Sequence, residues 1–112
     1  MIKRSSAILL VLLAGLPVLG ASDDKPSEAI LAAYKGKCQP CHMADGNSKV
    51  KAMNFCDAEW KSGSGIKQIT KVIIDGVPNT AMKGFGDKLT TEEILGLAKY
   101  VRSFDKTLNG EK

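Results

Sequence analysis

The chain of 112 residues has few aromatic side chains, a single histidine and no block of basic residues. Aromatic residues make up 5% of the composition, and the formal net charge is +4. Lys3 and Arg4, close to the N-terminus, supply two of those positive charges, so the rest of the chain is nearly neutral. Nucleic-acid-binding domains normally carry a basic patch or stripe. The composition therefore predicts no nucleic-acid partner.

No segment alternates apolar and polar residues over the length of a strand, and the chain has no internal repeat. Apolar residues recur instead at helical spacing, which predicts an all-α fold. The first predicted helix covers residues 26–37. The second covers residues 66–75 and ends at Gly76. The last begins at the capping box of Thr90 and Glu93. Residues 43–65 read as loop with a helical turn near 57–61, and the glycine-rich residues 76–88 read as irregular.

The N-terminal residues have the layout of a secretory signal peptide. Lys3 and Arg4 precede an apolar run over residues 7–19, and small residues follow at 20–22. We predict a signal peptide over residues 1–21, a single domain over 22–112 and a periplasmic location without stable membrane insertion after cleavage. The run is short for a membrane span, although a retained anchor is the alternative. No cysteine ends the run, so lipid attachment is not indicated.

Three cysteines, Cys38, Cys41 and Cys56, would enter an oxidising compartment on export. An odd number of cysteines cannot be fully paired within one chain. A simple disulfide framework is therefore not expected.

The stretch Cys38-Gln39-Pro40-Cys41-His42 is the attachment signature of c-type haem. Two thiols three positions apart project from one side of a helical turn and can add to the two vinyl groups of a porphyrin as thioethers. The next residue, His42, is then placed to ligate the iron from the proximal side. We predict one covalently attached haem c, which also gives this short chain a large apolar body for its core.

The stretch has two alternative interpretations, a redox-active dithiol and a structural zinc site. A thioredoxin-like C-x-x-C needs a βαβ context, which the helical pattern does not provide. A structural zinc site could recruit Cys38, Cys41, His42 and Cys56. Adjacent Cys41 and His42 do not easily reach one tetrahedral ion, however, and a second ligand pair is missing.

The second axial ligand of the iron is predicted to be Met82. The chain has no second histidine, and Met43 and Met53 lie too close to His42 in sequence to cross the ring, so they read as packing or exposed residues. Met82 lies 40 positions beyond His42, in the glycine-rich loop. A thioether favours ferrous iron and raises the reduction potential. Two filled axial positions favour electron transfer over enzymatic catalysis.

The sequence resembles the small monohaem class I c-type cytochromes over nearly all of residues 22–112. Tyr34 is similar to the aromatic residue that precedes their haem motif. Tyr100 is similar to the aromatic residue of their last helix that packs near the first helix. The stretches "DAEWKSG" and "TAMKGFGDKLTTEEILGLAKYVRSF" resemble their connecting segment, methionine loop and terminal helix. The resemblance implies a class I cytochrome c fold, with three to four helices around one covalently attached haem. It also implies a one-electron carrier that shuttles electrons between periplasmic or membrane redox partners.

Three residues depart from that family pattern. Lys83 stands where a proline commonly follows the methionine, and Met53 where a proline often offers its carbonyl to the proximal histidine. Ile30 replaces a glycine at the crossing of the first and last helices, where Gly96 is expected to make the space.

Other residues carry further expectations. Cys56 is expected to be a small buried residue, with a disulfide-linked dimer as the alternative to a monomer. Trp60 is expected to pack on the haem side, and a haem propionate is a candidate partner for its N–H. Lys83 and Lys88 are surface residues that could form a docking rim for an acidic redox partner.

Two other functions stay open. The chain could be the haem c subunit of a larger oxidoreductase complex. Alternatively, it could be a haem sensor or enzyme that frees its distal position by releasing Met82.

Overall fold

The computed structural model describes residues 25–108, which form four α-helices and one short 3₁₀ turn. The elements are α1 (Glu28–Lys37), α2 (Gln39–His42), the 3₁₀ turn (Lys51–Met53), α3 (Ile66–Asp75) and α4 (Thr91–Arg102). Within this part of the chain the only β pairing is an isolated antiparallel bridge between Gly76 and Lys83. The prediction of an all-α fold is confirmed. The predicted signal peptide lies outside the described residues.

The helix starts follow the capping rules. Ser27 caps α1, and its hydroxyl accepts from the Ile30 N–H at 3.3 Å. Pro26 therefore precedes the cap, whereas the predicted helix began at this residue. At α4 the Thr90 hydroxyl accepts from the Glu93 N–H at 3.1 Å, and the Glu93 carboxylate accepts from the Thr90 N–H at 2.9 Å. The predicted capping box is confirmed.

α3 covers the predicted residues and ends at Gly76, which has a φ of +72°. A side chain at this position would be strained, and its Cβ would lie 2.5 Å from the Gly84 nitrogen. Glycine therefore lets the following loop return close against the end of α3.

The loop after α2 differs from the prediction in one place. The helical turn expected near residues 57–61 is absent, and the turn forms at Lys51–Met53 instead. The Asp57 carboxylate accepts from the Glu59 N–H at 3.1 Å. Such a side-chain bond to the backbone competes with helical hydrogen bonding.

The core lies where α4 packs against α1 and α3. Its buried apolar residues are Ile30, Tyr34, Ile69, Ile73, Ile94, Leu97, Ala98 and Val101. Tyr34 meets Tyr100 edge to face, with the ring centroids 5.0 Å apart. The prediction that Tyr100 packs near the first helix is confirmed.

The far end of α4 holds the long loop in place. The Arg102 Nε donates to the Ser64 carbonyl at 2.8 Å, and the Trp60 indole N–H donates to the Asp105 carboxylate at 2.8 Å. Within residues 25–108, no helix is long and apolar enough to cross a membrane.

Candidate functional site

The two cysteines and the histidine of the C-x-x-C-H stretch lie on one short helical turn. Cys38 ends α1 and also caps α2, and its carbonyl accepts from the N–H groups of Cys41 and His42 at 3.2 and 3.0 Å. Pro40 in the first turn of α2 is favoured because the missing N–H has no helical partner there. Both cysteines are free thiols, with Cys38 half-buried and Cys41 exposed. The turn therefore presents two thiols and an imidazole together.

Burial affects the thiol of Cys38 more than that of the exposed Cys41. Burial raises the pKa of the Cys38 thiol to about 11, although the nearby Lys37 charge acts in the opposite direction. Cys38 is therefore a protonated thiol at neutral pH.

The His42 ring is held by a carbonyl behind it. Its Nδ1 lies 2.6 Å from the Met53 carbonyl oxygen. A carbonyl can only accept, so Nδ1 carries the hydrogen and Nε2 keeps a lone pair for a metal. Burial lowers the pKa of His42 against the opposing effect of this hydrogen bond, which favours the neutral, ligating form. Met53 thus supplies the carbonyl that a proline supplies in the family pattern.

An aromatic ring lies against the His42 imidazole. The rings of His42 and Phe55 are stacked, with centroids 4.2 Å apart and planes 18° apart. Phe55 in turn stacks on Trp60, with centroids 5.7 Å apart. The Trp60 N–H donates to Asp105 rather than standing free for a propionate, so that candidate partner was wrong. The contact between Phe55 and His42 was not predicted from the sequence, because no local motif links the two residues.

A cavity of about 500 Å³ opens beside this turn. Its lining is Pro40, Cys41, Met43, Asn47, Ser48, Lys49, Val50 and Met53. A second cavity of about 380 Å³, between α3 and Leu95 of α4, contains none of the predicted site residues. Of the predicted site residues, only Cys41 lines the first cavity. The two free thiols and the available Nε2 of His42 are the groups that a covalently attached haem requires.

Met82 lies on a loop that is tied to the end of α3. Its carbonyl accepts from the Val77 N–H at 2.9 Å, and its own N–H donates to the Thr80 hydroxyl at 3.2 Å. The loop returns to α3 where the Phe85 N–H donates to the Ile73 carbonyl at 2.7 Å. Met82 is half-buried. His42 and Met82 thus come from separate elements, and their pairing at one iron stays a prediction.

Cys56 does not join the other two cysteines. Its side chain is exposed, and its Sγ lies 3.4 Å from the Asp45 carbonyl oxygen. The expectation that Cys56 is buried was wrong; its backbone N–H donates to the Asn54 side chain within an exposed part of the loop. Among residues 25–108, no group of three or more His, Cys, Asp or Glu side chains is placed to hold a metal ion. The zinc reading therefore finds no site in the described part of the chain.

Comparison with known proteins gives a family. Residues 26–101 match the family model described as cytochrome c oxidase, cbb3-type, subunit III. The chain is 32% identical over 98 residues to cytochrome c55X of Paracoccus denitrificans, covering 85% of this chain and 90% of that protein. It is 30% identical over 86 residues to the cbb3-type oxidase subunit FixP of Azorhizobium caulinodans, covering 70% of this chain but only 29% of FixP.

Solved structures give the same fold. The c-type cytochrome KustC0563 is 36% identical with a TM-score of 0.58, and the match covers 68% of this chain and 96% of that one. Cytochrome c6 of the diatom Phaeodactylum tricornutum is 26% identical with a TM-score of 0.57, covering 70% and 93%. The helices around the C-x-x-C-H turn are thus arranged as in class I c-type cytochromes. The chain belongs to the cytochrome c family, by its match to the family model of cbb3-type oxidase subunit III and to cytochrome c55X, and is a c-type haem protein of electron transport.

Proposed function

We propose that the protein is a one-electron carrier in which Cys38 and Cys41 hold one haem c as thioethers and His42 and Met82 are the axial ligands. When bound, haem c supplies an iron that takes up and releases single electrons. The observation that carries the proposal is the His42 imidazole, whose Nδ1 is engaged by the Met53 carbonyl at 2.6 Å while its Nε2 remains available. Two free thiols stand on the same turn.

The chain's residues divide the work between attachment and orientation. Cys38 and Cys41 would attach one edge of the haem to α2. His42, the next residue after Cys41, would then be held in position to ligate the iron. The Met53 carbonyl holds the imidazole in its metal-binding tautomer and raises its basicity as a ligand. Little needs to rearrange when an electron arrives or leaves, because these groups are positioned beforehand.

The methionine loop supports ligation by Met82 despite the missing proline. The Met82 carbonyl accepts from the Val77 N–H at the Gly76–Lys83 bridge, and the Met82 N–H donates to the Thr80 hydroxyl, so the backbone is held on both sides of Met82. This bracing favours a retained ligand over a releasable one, and hence a carrier over a sensor or an enzyme. A thioether ligand also stabilises the ferrous state relative to the ferric state.

The location and the assembly state belong to the same proposal. We infer that residues 1–21 direct export, that residues 22–112 act in the periplasm and that the carrier is a monomer which meets other redox proteins. The positive residues before the apolar run support this assignment.

A second candidate function is a haem c subunit of a larger oxidoreductase complex. The match to FixP favours this function, because FixP is an oxidase subunit and the match covers 29% of its length. Affinity purification from mild detergent extracts separates the two. A carrier elutes alone, whereas a subunit elutes with a stable set of other chains.

The test of the carrier proposal is absorption spectroscopy of the exported protein. Haem that stays with the denatured chain would demonstrate thioether attachment. The weak long-wavelength sulfur-to-iron band of the ferric protein should be present, should vanish in Met82→Ala and should persist in Met43→Ala. Met43 is the matched control because its side chain is exposed. Haem without that band would reject Met82 as the ligand, and a chain without haem after maturation would reject the carrier.

A further inference from the structure

The face of the His42 imidazole is covered by the ring of Phe55. The two ring centroids are 4.2 Å apart, and the planes differ by 18°. Aromatic rings at this separation attract one another in offset parallel arrangements. The contact therefore favours one plane for the imidazole over others.

The hydrogen bond to Met53 does not fix that plane by itself. It directs Nδ1 toward the carbonyl oxygen at 2.6 Å. Hydrogen bonds tolerate a broad range of angles at a carbonyl oxygen, so the ring can still tilt about the line between the two atoms. A flat neighbour against the ring face restricts this remaining motion.

Phe55 is itself held from several directions. Its backbone N–H donates to the Gly46 carbonyl at 2.8 Å. Its ring stacks on Trp60 with the planes 15° apart, and the Trp60 N–H is bonded to Asp105, which is 1% exposed. Phe55 also lies parallel to Phe104, with the centroids 6.2 Å apart. The Phe55 ring that covers His42 is thus anchored to the buried C-terminal end of α4.

We propose that Phe55 is a positioning residue for the axial ligand: its ring sets the plane of the His42 imidazole and so the orientation in which the iron is ligated. The inference rests on the proposed function, because it needs His42 to be the proximal ligand. Neighbours of ligating histidines commonly orient the ring and tune the metal. Here a stacked aromatic ring supplements the usual hydrogen bond.

The experiment compares haem-loaded variants by spectroscopy. Phe55→Leu keeps an apolar side chain but removes the flat face, whereas Phe55→Tyr keeps the face. The readouts are the g-values of the ferric protein in electron paramagnetic resonance and the spread of the haem-methyl proton shifts, because both depend on the axial ligand planes. Phe55→Leu should shift both readouts and broaden the g-features, and Phe55→Tyr should retain the wild-type pattern.

Tyr100→Leu is the matched control. It removes a ring from the same aromatic cluster, where Tyr100 packs on Tyr34 and Phe104, without touching Phe55 or His42. It should lower the unfolding midpoint about as much as Phe55→Leu and leave the g-values and methyl shifts at their wild-type positions. If Phe55→Leu does not mature, Phe55→Ile replaces it with the same expected result.

Two results overturn the inference alone. One is unchanged spectra in Phe55→Leu, which lacks the flat ring; the other is an equal spectral change in Tyr100→Leu. A wild-type chain that holds no haem overturns the proposed function and the inference together.

Discussion

The side chain of Ile30 on α1 occupies the space that a side chain at position 96 of α4 would need. A Cβ on Gly96 would lie 2.6 Å from the Ile30 Cδ1 and 2.8 Å from its Cγ1. The family pattern has the small residue on the first helix, and this chain has it on the last. The expectation that Gly96 makes the space for Ile30 is confirmed.

Gly96→Ala should destabilise the haem-loaded protein by about 1–3 kcal/mol, because overpacking forces the two helices apart. Ile30→Ala should also destabilise it, by leaving a cavity. The double variant should lose less than the sum of the two single losses, since each change relieves the other. Chemical unfolding of the four proteins measures this coupling.

Gly36→Ala is the control for that comparison. Gly36 lies in α1, and a Cβ there would meet nothing within 4 Å. Alanine should therefore stabilise this position by up to about 1 kcal/mol through helix propensity. A Gly96→Ala variant as stable as Gly36→Ala would contradict the close packing at the crossing.

The buried carboxylate of Asp105 should make stability fall in acid. Burial tends to raise its pKa, but hydrogen bonds from Thr107 and Trp60 and the charge of Arg102 outweigh this and hold the pKa below its ordinary value. The unfolded chain then binds more protons than the folded chain in acid. The contribution is therefore complete above about pH 4 and is lost as the pH falls through the lower folded-state pKa.

Asp105→Asn should lower the unfolding free energy near neutral pH by about 1.5–3 kcal/mol, the size of a hydrogen bond to a charged group. The difference from wild type should shrink toward pH 3. Urea titrations at several pH values measure it, with the exposed Asp87→Asn as control. A loss that stays constant down to pH 3 would show that the charge of Asp105 is not what matters.

The Cys56 thiol should be accessible to alkylating reagents but should react slowly with them at neutral pH. Its side chain is exposed, yet partial desolvation and the nearby carboxylates of Asp45, Asp105 and Asp57 raise its pKa. Only the thiolate reacts with iodoacetamide. Labelling of the haem-loaded protein at pH 7 should be slower than labelling of an unstructured cysteine peptide. Its rate should still rise with pH above about 8.5, where the labelling of the peptide begins to level off.

Non-reducing electrophoresis distinguishes a monomer from a dimer linked through Cys56. A band of twice the monomer mass that disappears in Cys56→Ser would demonstrate an intermolecular disulfide. A monomer band alone under oxidising conditions would exclude the linked dimer.

Lys83, exposed beside Met82, is expected to steer an acidic redox partner. Lys83→Glu should lower the second-order electron-transfer rate by roughly threefold to tenfold at low ionic strength, and added salt should reduce the difference. Stopped-flow kinetics with an acidic partner protein measure the rate. Lys67→Glu, on the exposed face of α3, is the control and should have little effect. Equal rates for Lys83→Glu and wild type at all salt concentrations would argue against a docking rim.

The local sequence was sufficient for the elements whose determinants lie within a few residues of one another. The C-Q-P-C-H turn, the capping box of Thr90 and Glu93 and the stop at Gly76 were all predicted, because each depends on neighbours along one helical turn. The capping of α1 by Ser27 was not predicted, and the turn expected near 57–61 was wrong, since it forms at Lys51–Met53. At Ser27 and Asp57 a short side chain accepts from a backbone N–H that would otherwise join the helical pattern.

The sequence by itself thus determined the main helices, the C-x-x-C-H turn and the family. Only the tertiary structure decided what surrounds His42. The Phe55 ring and the Met53 carbonyl reach the imidazole across a loop, and the Trp60 N–H finds Asp105 across 45 positions of the chain. It also decided that Cys56 is exposed. Spacing along the chain carries no information on such contacts, because they depend on how the loop folds back against the end of α4.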